Sequence, residues 1–125
     1  MIDKQQFNNF FQGFDKDFLP EFIDIAIIEI PATIEAISKN IENVDFDGLS
    51  RNACKIKGII PNFYDPVSTG LSRQLWDYVY VGWPKPELEN RTMDDKIHQM
   101  FSELKTATEL LMDELKLIKQ ELTSG

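Results

Sequence analysis

Among its 125 residues the chain has one cysteine and one histidine. A lone cysteine excludes an internal disulfide, and one thiol with one imidazole is too few for a cysteine–histidine zinc site. No apolar run approaches the roughly 18 to 20 residues of a membrane span, so no membrane association is expected. Residues Met1 to Gln6 lack a positive segment followed by an apolar stretch. Export is therefore not expected, and a reducing cytoplasm fits best. Basic residues are also scarce, 13 against 21 acidic ones, for a formal charge of −8. That balance argues against nucleic acid as a partner. No segment alternates strongly enough to read as a strand. A phosphate loop and a nucleophile–base pair are lacking too. The acidic residues Glu87, Glu89, Asp94 and Asp95 do not have the spacing of a calcium loop, and read as a solvated loop and helix start. No enzymatic centre, metal or cofactor is expected.

What is present is helical periodicity. Hydrophobic residues make up 42% of the chain, enough for one domain over residues 1–125. Asp3 to Gln6 reads as the cap of a short first helix that closes at Gly13 and carries Phe7, Phe10, Phe11 and Phe14. A second helix is expected from Asp15 or Asp17 to about Asn43, with Phe18, Phe22, Ile25, Ile28, Ile34, Ile37 and Ile41 as its apolar positions. Pro31 falls inside it and is expected to kink it. Asp47 is the candidate cap of a third helix. There Leu49, Ala53, Ile56, Ile60 and Phe63 recur in steps of four and three. Asp65-Pro66 opens a fourth helix through Leu71, Leu75, Trp76 and Val79, which Tyr78 to Val81 finish.

A loop from Trp83 to Asn90 holds Pro84 and Pro86. Thr92, Asp94 and Asp95 then cap a long last helix with Ile97, Met100 or Phe101, Leu104, Leu111, Leu115, Ile118 and Leu122 on one face. The expected fold is all-α: an antiparallel four-helix bundle with a short additional N-terminal helix. The phenylalanines at 7, 10, 11, 14, 18 and 22 are expected to form its lid and core. The aromatics Trp76, Tyr78, Tyr80 and Trp83 close one end or form a partner patch.

The third helix carries the one feature that asks for a function. Between Gly48 and Tyr64 the only charged residues are Arg51, Lys55 and Lys57, so this window is +3 and the rest of the chain −11. A small basic patch on an acidic body points to one acidic partner surface. Cys54 lies about 100° from the core stripe. It shares its face with Ser50, Lys57, Gly58 and Pro61. Lys57 is placed to balance an anionic group held at position 54. Gly58 costs a helix interior about 1 kcal/mol relative to alanine, which asks for a reason: close approach of a partner, or the nearby Pro61 kink.

Ala53-Cys54-Lys55-Ile56-Lys57-Gly58 resembles the phosphoacceptor helix of histidine-containing phosphotransfer (HPt) domains, whose motif is His-x-Leu-Lys-Gly, usually after alanine. Glu29-Ile30-Pro31 in the preceding helix and Asn62-Phe63 after the glycine are similar to the family's pattern as well. In that family the histidine takes a phosphoryl group from a receiver-domain aspartate and passes it on, without a cofactor of its own. Here Cys54 stands in place of the histidine, and a thiol must ionise before it attacks. Ile59, Ile60, Pro61 and Tyr64 also stand where the family usually has small residues. The resemblance implies a monomeric pseudo-HPt module that docks a response-regulator receiver domain or a histidine kinase. The docking surface would comprise Ser50, Arg51, Cys54, Lys55, Lys57, Gly58 and Pro61.

Other readings stand beside it. Cys54 can be an inert surface residue, a redox-sensing thiol, or the replacement of a native histidine in an active carrier. The chain can also be a non-relay bundle that dimerises through its last helix, where Leu110 beside Leu111 widens the apolar stripe. His98 has no Lys-Gly partner and reads as a solvated surface residue.

Overall fold

In the computed structural model, which describes residues 1–14, 17–81 and 93–124, the chain is all-helical. Helix α1 spans Lys4–Phe11, with Asp3 as its cap: the Gln6 amide donates to Asp3 Oδ1 at 3.2 Å. Helix α2 spans Phe18–Glu42 and continues across Pro31. The hydroxyl of buried Thr33 is satisfied inside this helix, donating to the Glu29 carbonyl at 2.7 Å. At its end Val44 adopts a left-handed conformation, φ 54°, and the chain turns directly into α3.

Helix α3 spans Phe46–Ile59. Its cap is Asp45 and not Asp47, because Asp45 Oδ1 accepts from the Gly48 amide at 2.9 Å. Phe46 is buried, so the helix begins two residues earlier than the acid pattern indicated. Gly48 sits in a tight corner, where a Cβ would collide with Asn40 Nδ2 and the Asp45 carboxylate. Pro61 ends the α-helix, and a 3₁₀ turn, Ile60–Phe63, carries the chain to Tyr64. Helix α4 spans Pro66–Trp76, with Pro66 in its first turn and Asp65 as its cap. It passes into a π turn, Asp77–Val81. Helix α5 spans Asp95–Ser124. Asp94 Oδ1 accepts from the Ile97 amide at 2.9 Å. The expected contributions of Asp15, Thr92 and the 83–90 loop lie outside the described residues.

The expected stripe of α3 is the centre of the core. Leu49, Ala53, Ile56, Ile60 and Phe63 are all buried, and each large side chain there contributes about 1.5–3 kcal/mol by leaving water. Helix α2 packs on α3 and on α5, and α4 packs on the same two helices. Near the start of α2, Asp24 pairs with Lys119 near the end of α5. Near the end of α2, Ser38 and Glu42 share a groove with His98 and Phe101 near the start of α5. Among the described residues, no helix is long and apolar enough to cross a membrane.

Three of the expected apolar groups lie only partly in the core. In the first half of α2 the buried positions are Ile23, Ala26 and Ile30, while Ile25 and Ile28 are 59% and 68% exposed. Isoleucine or alanine at 23, 25, 26, 27, 28 and 30 gives this segment apolar residues on every side. The buried steps Ile30, Ile34, Ile37 and Ile41 continue the phase of Ile23 and Ala26 and leave Ile25 and Ile28 outside. Of the six phenylalanines, Phe7 and Phe11 are buried and Phe22 is half-buried, whereas Phe10, Phe14 and Phe18 are exposed. Leu122 is exposed as well, one turn beyond the last core residues of α5.

Candidate functional site

Cys54 is exposed on the outer side of α3. The turn positions around it follow from the helix: with Ala53 and Ile56 in the core, residue 54 must face away. Gly58 and Pro61 are exposed, and Ser50 and Lys57 are half-buried. The five residues that share this face therefore all reach the surface. A Cβ at Gly58 would meet nothing within 4 Å, so nothing inside the chain requires glycine at this position. The Asn62 side chain caps this end of the helix, donating to the carbonyls of Ile59 (3.0 Å) and Gly58 (3.3 Å). These bonds satisfy acceptors that the break at Pro61 leaves open.

The three cations of the patch have different surroundings. Arg51 is exposed. Lys55 Nζ lies 3.0 Å from Glu29 Oε2 on α2. Lys57 reaches the other way, its ammonium 3.6 Å from the centroid of the Trp76 ring on α4. That ring stacks on Tyr80 in the π turn, with centroids 5.0 Å apart and planes 12° from parallel. Tyr78 faces elsewhere: its hydroxyl donates to Asp94 Oδ2, and Lys96 lies over its ring at 4.7 Å. Among the described residues, Trp76, Tyr78 and Tyr80 do not share one set of contacts. Trp76 and Tyr80 border the cysteine helix, Tyr78 belongs to the start of α5, and Trp83 lies outside the described residues.

Beside the Cys54 face, α2 presents apolar surface. Phe14 stacks on Phe18 and Phe18 on Phe22, with centroids 4.9 and 5.6 Å apart. Phe22 in turn stacks on buried Phe63 at 5.2 Å. This ladder leads to a groove of about 130 Å³ lined by Phe22, Ile25, Ala26, Ile59 and Phe63, with Glu29 and Asn62. Sequence reasoning named Ile25 only as an apolar position of α2 and did not join Ile25, Glu29 or Trp76 to the site. Glu29 and Lys55 are 26 residues apart, and Lys57 and Trp76 are 19 apart; only the packing of α2 and α4 against α3 brings them together. Ile25 did carry a signal, since the phase set by Ile30, Ile34, Ile37 and Ile41 rotates it outward.

Past the end of α3 the chain start is held down, beside Pro61 and Tyr64. The Met1 ammonium lies 2.9 Å from Asp65 Oδ1, and the Ile2 amide donates to Glu114 Oε2 at 3.1 Å. Asp65 is only 2% exposed and also accepts from the Ser68 hydroxyl at 2.7 Å. Burial pushes the Asp65 carboxyl up, but the bonds from the ammonium and Ser68 outweigh it and hold the group below the usual carboxylate range. The hydrogen bond to Asp65 raises the Met1 ammonium above its ordinary value.

Among the described residues, no group of three or more His, Cys, Asp or Glu side chains is placed to hold a metal ion. His98 is exposed on α5. The expected acidic cluster is divided: Asp94 caps α5, Asp95 begins it, and Glu87 and Glu89 lie outside the described residues. The face that remains carries an exposed thiol on a small bare surface, cations on both flanks and apolar surface beyond one of them. Compared with known protein families, curated proteins and solved structures, the chain matches none.

Proposed function

We propose that this chain is a pseudo-HPt module: a bundle of HPt type, without its phosphoacceptor histidine, that docks response-regulator receiver domains or a histidine kinase in the cytoplasm. In this reading the four longer helices form one antiparallel four-helix bundle with α1 laid across its end. The pairing of Asp24 with Lys119, and of the α2 end with the α5 start, supports that arrangement.

The observation that carries the reading is Gly58. Gly58 lies one turn after an exposed Cys54, second from the end of α3, and has open space where its Cβ would lie. Its use is clearance for a partner backbone or side chain approaching position 54. Lys57 and Arg51 supply positive charge beside that clearance, matching the carboxylates that receivers gather around their phosphorylated aspartate. The groove at Ile25 and Ile59 gives the same partner apolar surface to cover. A thiol in place of the imidazole leaves docking possible and removes the acceptor.

Calorimetric titration of a panel of isolated receiver domains against the chain and its Lys57→Glu variant tests the docking claim. Binding by the native chain that weakens in the variant supports it. Binding unaltered by the charge reversal removes it.

One observation favours a second reading, a dimer formed through α5. Leu110 and Leu117 are 61% and 60% exposed and lie two turns apart on one face. Light scattering separates the two, because the pseudo-HPt reading is of a monomer.

A further inference from the structure

The contact between Lys57 and Trp76 gives the proposed docking face a property that the motif alone does not contain. A lysine on an open helix face is a mobile charge with four rotatable bonds, and a partner that pairs with it must order it. Lys57 is not in that state. Its ammonium lies 3.6 Å from the Trp76 centroid, over the electron-rich face of the best cation-binding ring among the side chains. Trp76 is in turn held on its own side. It is half-buried at the end of α4, packs on the core and stacks on Tyr80 in the π turn. Lys57 stands one turn after Cys54 on the same side of α3, so this anchored ammonium borders the face that carries the thiol.

We infer that Trp76 is a positioning residue that holds the Lys57 ammonium beside the Cys54 turn, so that an acidic partner group meets a cation already in place. The inference rests on the pseudo-HPt reading and deepens it by assigning the cation's orientation to a residue outside the motif. A cation on an indole face keeps its charge and its outward N–H donors. It can accept a carboxylate while remaining on the ring, and less ordering is left for the moment of docking. The π turn fits this role, because it places Tyr80 against the Trp76 ring while Tyr78 is engaged with Asp94 at the start of α5.

The test is a double-mutant cycle in the full chain, with isolated receiver domains as titrant and calorimetry as readout. Trp76→Leu is expected to weaken binding about three- to tenfold, and Trp76→Tyr to restore most of the loss. In a Lys57→Gln background Trp76→Leu is expected to have little further effect. A merely structural role for Trp76 would instead weaken binding equally with and without Lys57. A second readout reports the contact in the free protein: the Lys57 side-chain methylene protons should be shifted upfield by the indole ring, and lose that shift in Trp76→Leu. Binding in which Trp76→Leu matches the native affinity, or in which the two substitutions add independently, overturns the inference and leaves docking standing. Failure of every variant, native included, to bind any receiver overturns the docking reading and the inference with it.

Discussion

Lys55 on α3 and Glu29 on α2 are joined by a 3.0 Å ion pair, so one of the three cations beside Cys54 is already paired within the chain. Both side chains are about half exposed, and a pair in that setting adds at most about 1 kcal/mol to stability. Its larger effect is on the charge that a partner meets. Glu29→Gln is expected to leave thermal stability nearly unaltered while tightening receiver binding a few-fold at low salt. Calorimetry at two ionic strengths measures this, with the gain shrinking at the higher one.

Gly58 separates fold from docking. Because a Cβ there meets nothing, Gly58→Ala is expected to stabilise the chain by about 0.5–1 kcal/mol through helix propensity. Gly58→Leu is expected to fold as well and to dock about tenfold or more weakly, since its bulk occupies the partner's space. Chemical denaturation and receiver titration on the same two variants read the two effects separately.

Ile25 sits at 59% exposure on the groove side of α2. Ile25→Ser is expected to shift stability by less than about 0.5 kcal/mol, as for other surface substitutions, and to weaken receiver binding several-fold. A large loss of stability would instead place Ile25 in the core.

The Met1–Asp65 contact makes stability depend on pH at both ends of the range. The depressed Asp65 carboxyl contributes stability that is present above its ordinary value near pH 4 and is lost as pH falls through its lower folded value. The raised Met1 ammonium contributes stability that is full below its ordinary value near pH 8 and is lost as pH rises through its higher folded value. Asp65→Asn is expected to lower stability by about 1.5–3 kcal/mol at neutral pH and to flatten both arms of the profile. Acetylation of Met1 is expected to flatten the alkaline arm. Thermal denaturation from pH 3 to 10 provides the measurement.

The parts of this molecule legible in its sequence are those governed by local rules. The stripe Leu49, Ala53, Ile56, Ile60 and Phe63 keeps one helical phase, and all of it is buried. Asp3 and Asp65 announce their caps by residue type, and Cys54 faces outward because Ala53 and Ile56 face inward. The parts that were not legible depend on tertiary contacts. The start of α2 is apolar all round, so its own residues do not choose between Ile23 and Ile25; the phase carried from Ile30 to Ile41 and the packing on α3 and α5 do. Asp45 and Asp47 are chemically equal caps, and the burial of Phe46 selects between them. Lys57 on Trp76 and Lys55 on Glu29 join helices across long sequence separations, which no pattern along α3 could reveal.

The most direct measurement is phosphotransfer from phosphorylated receiver domains to the native chain and to Cys54→His, side by side. Label on Cys54→His alone is the expected result: the docking surface is intact and only the acceptor is missing. Label on neither chain, or on the native chain itself, would contradict the pseudo-HPt reading.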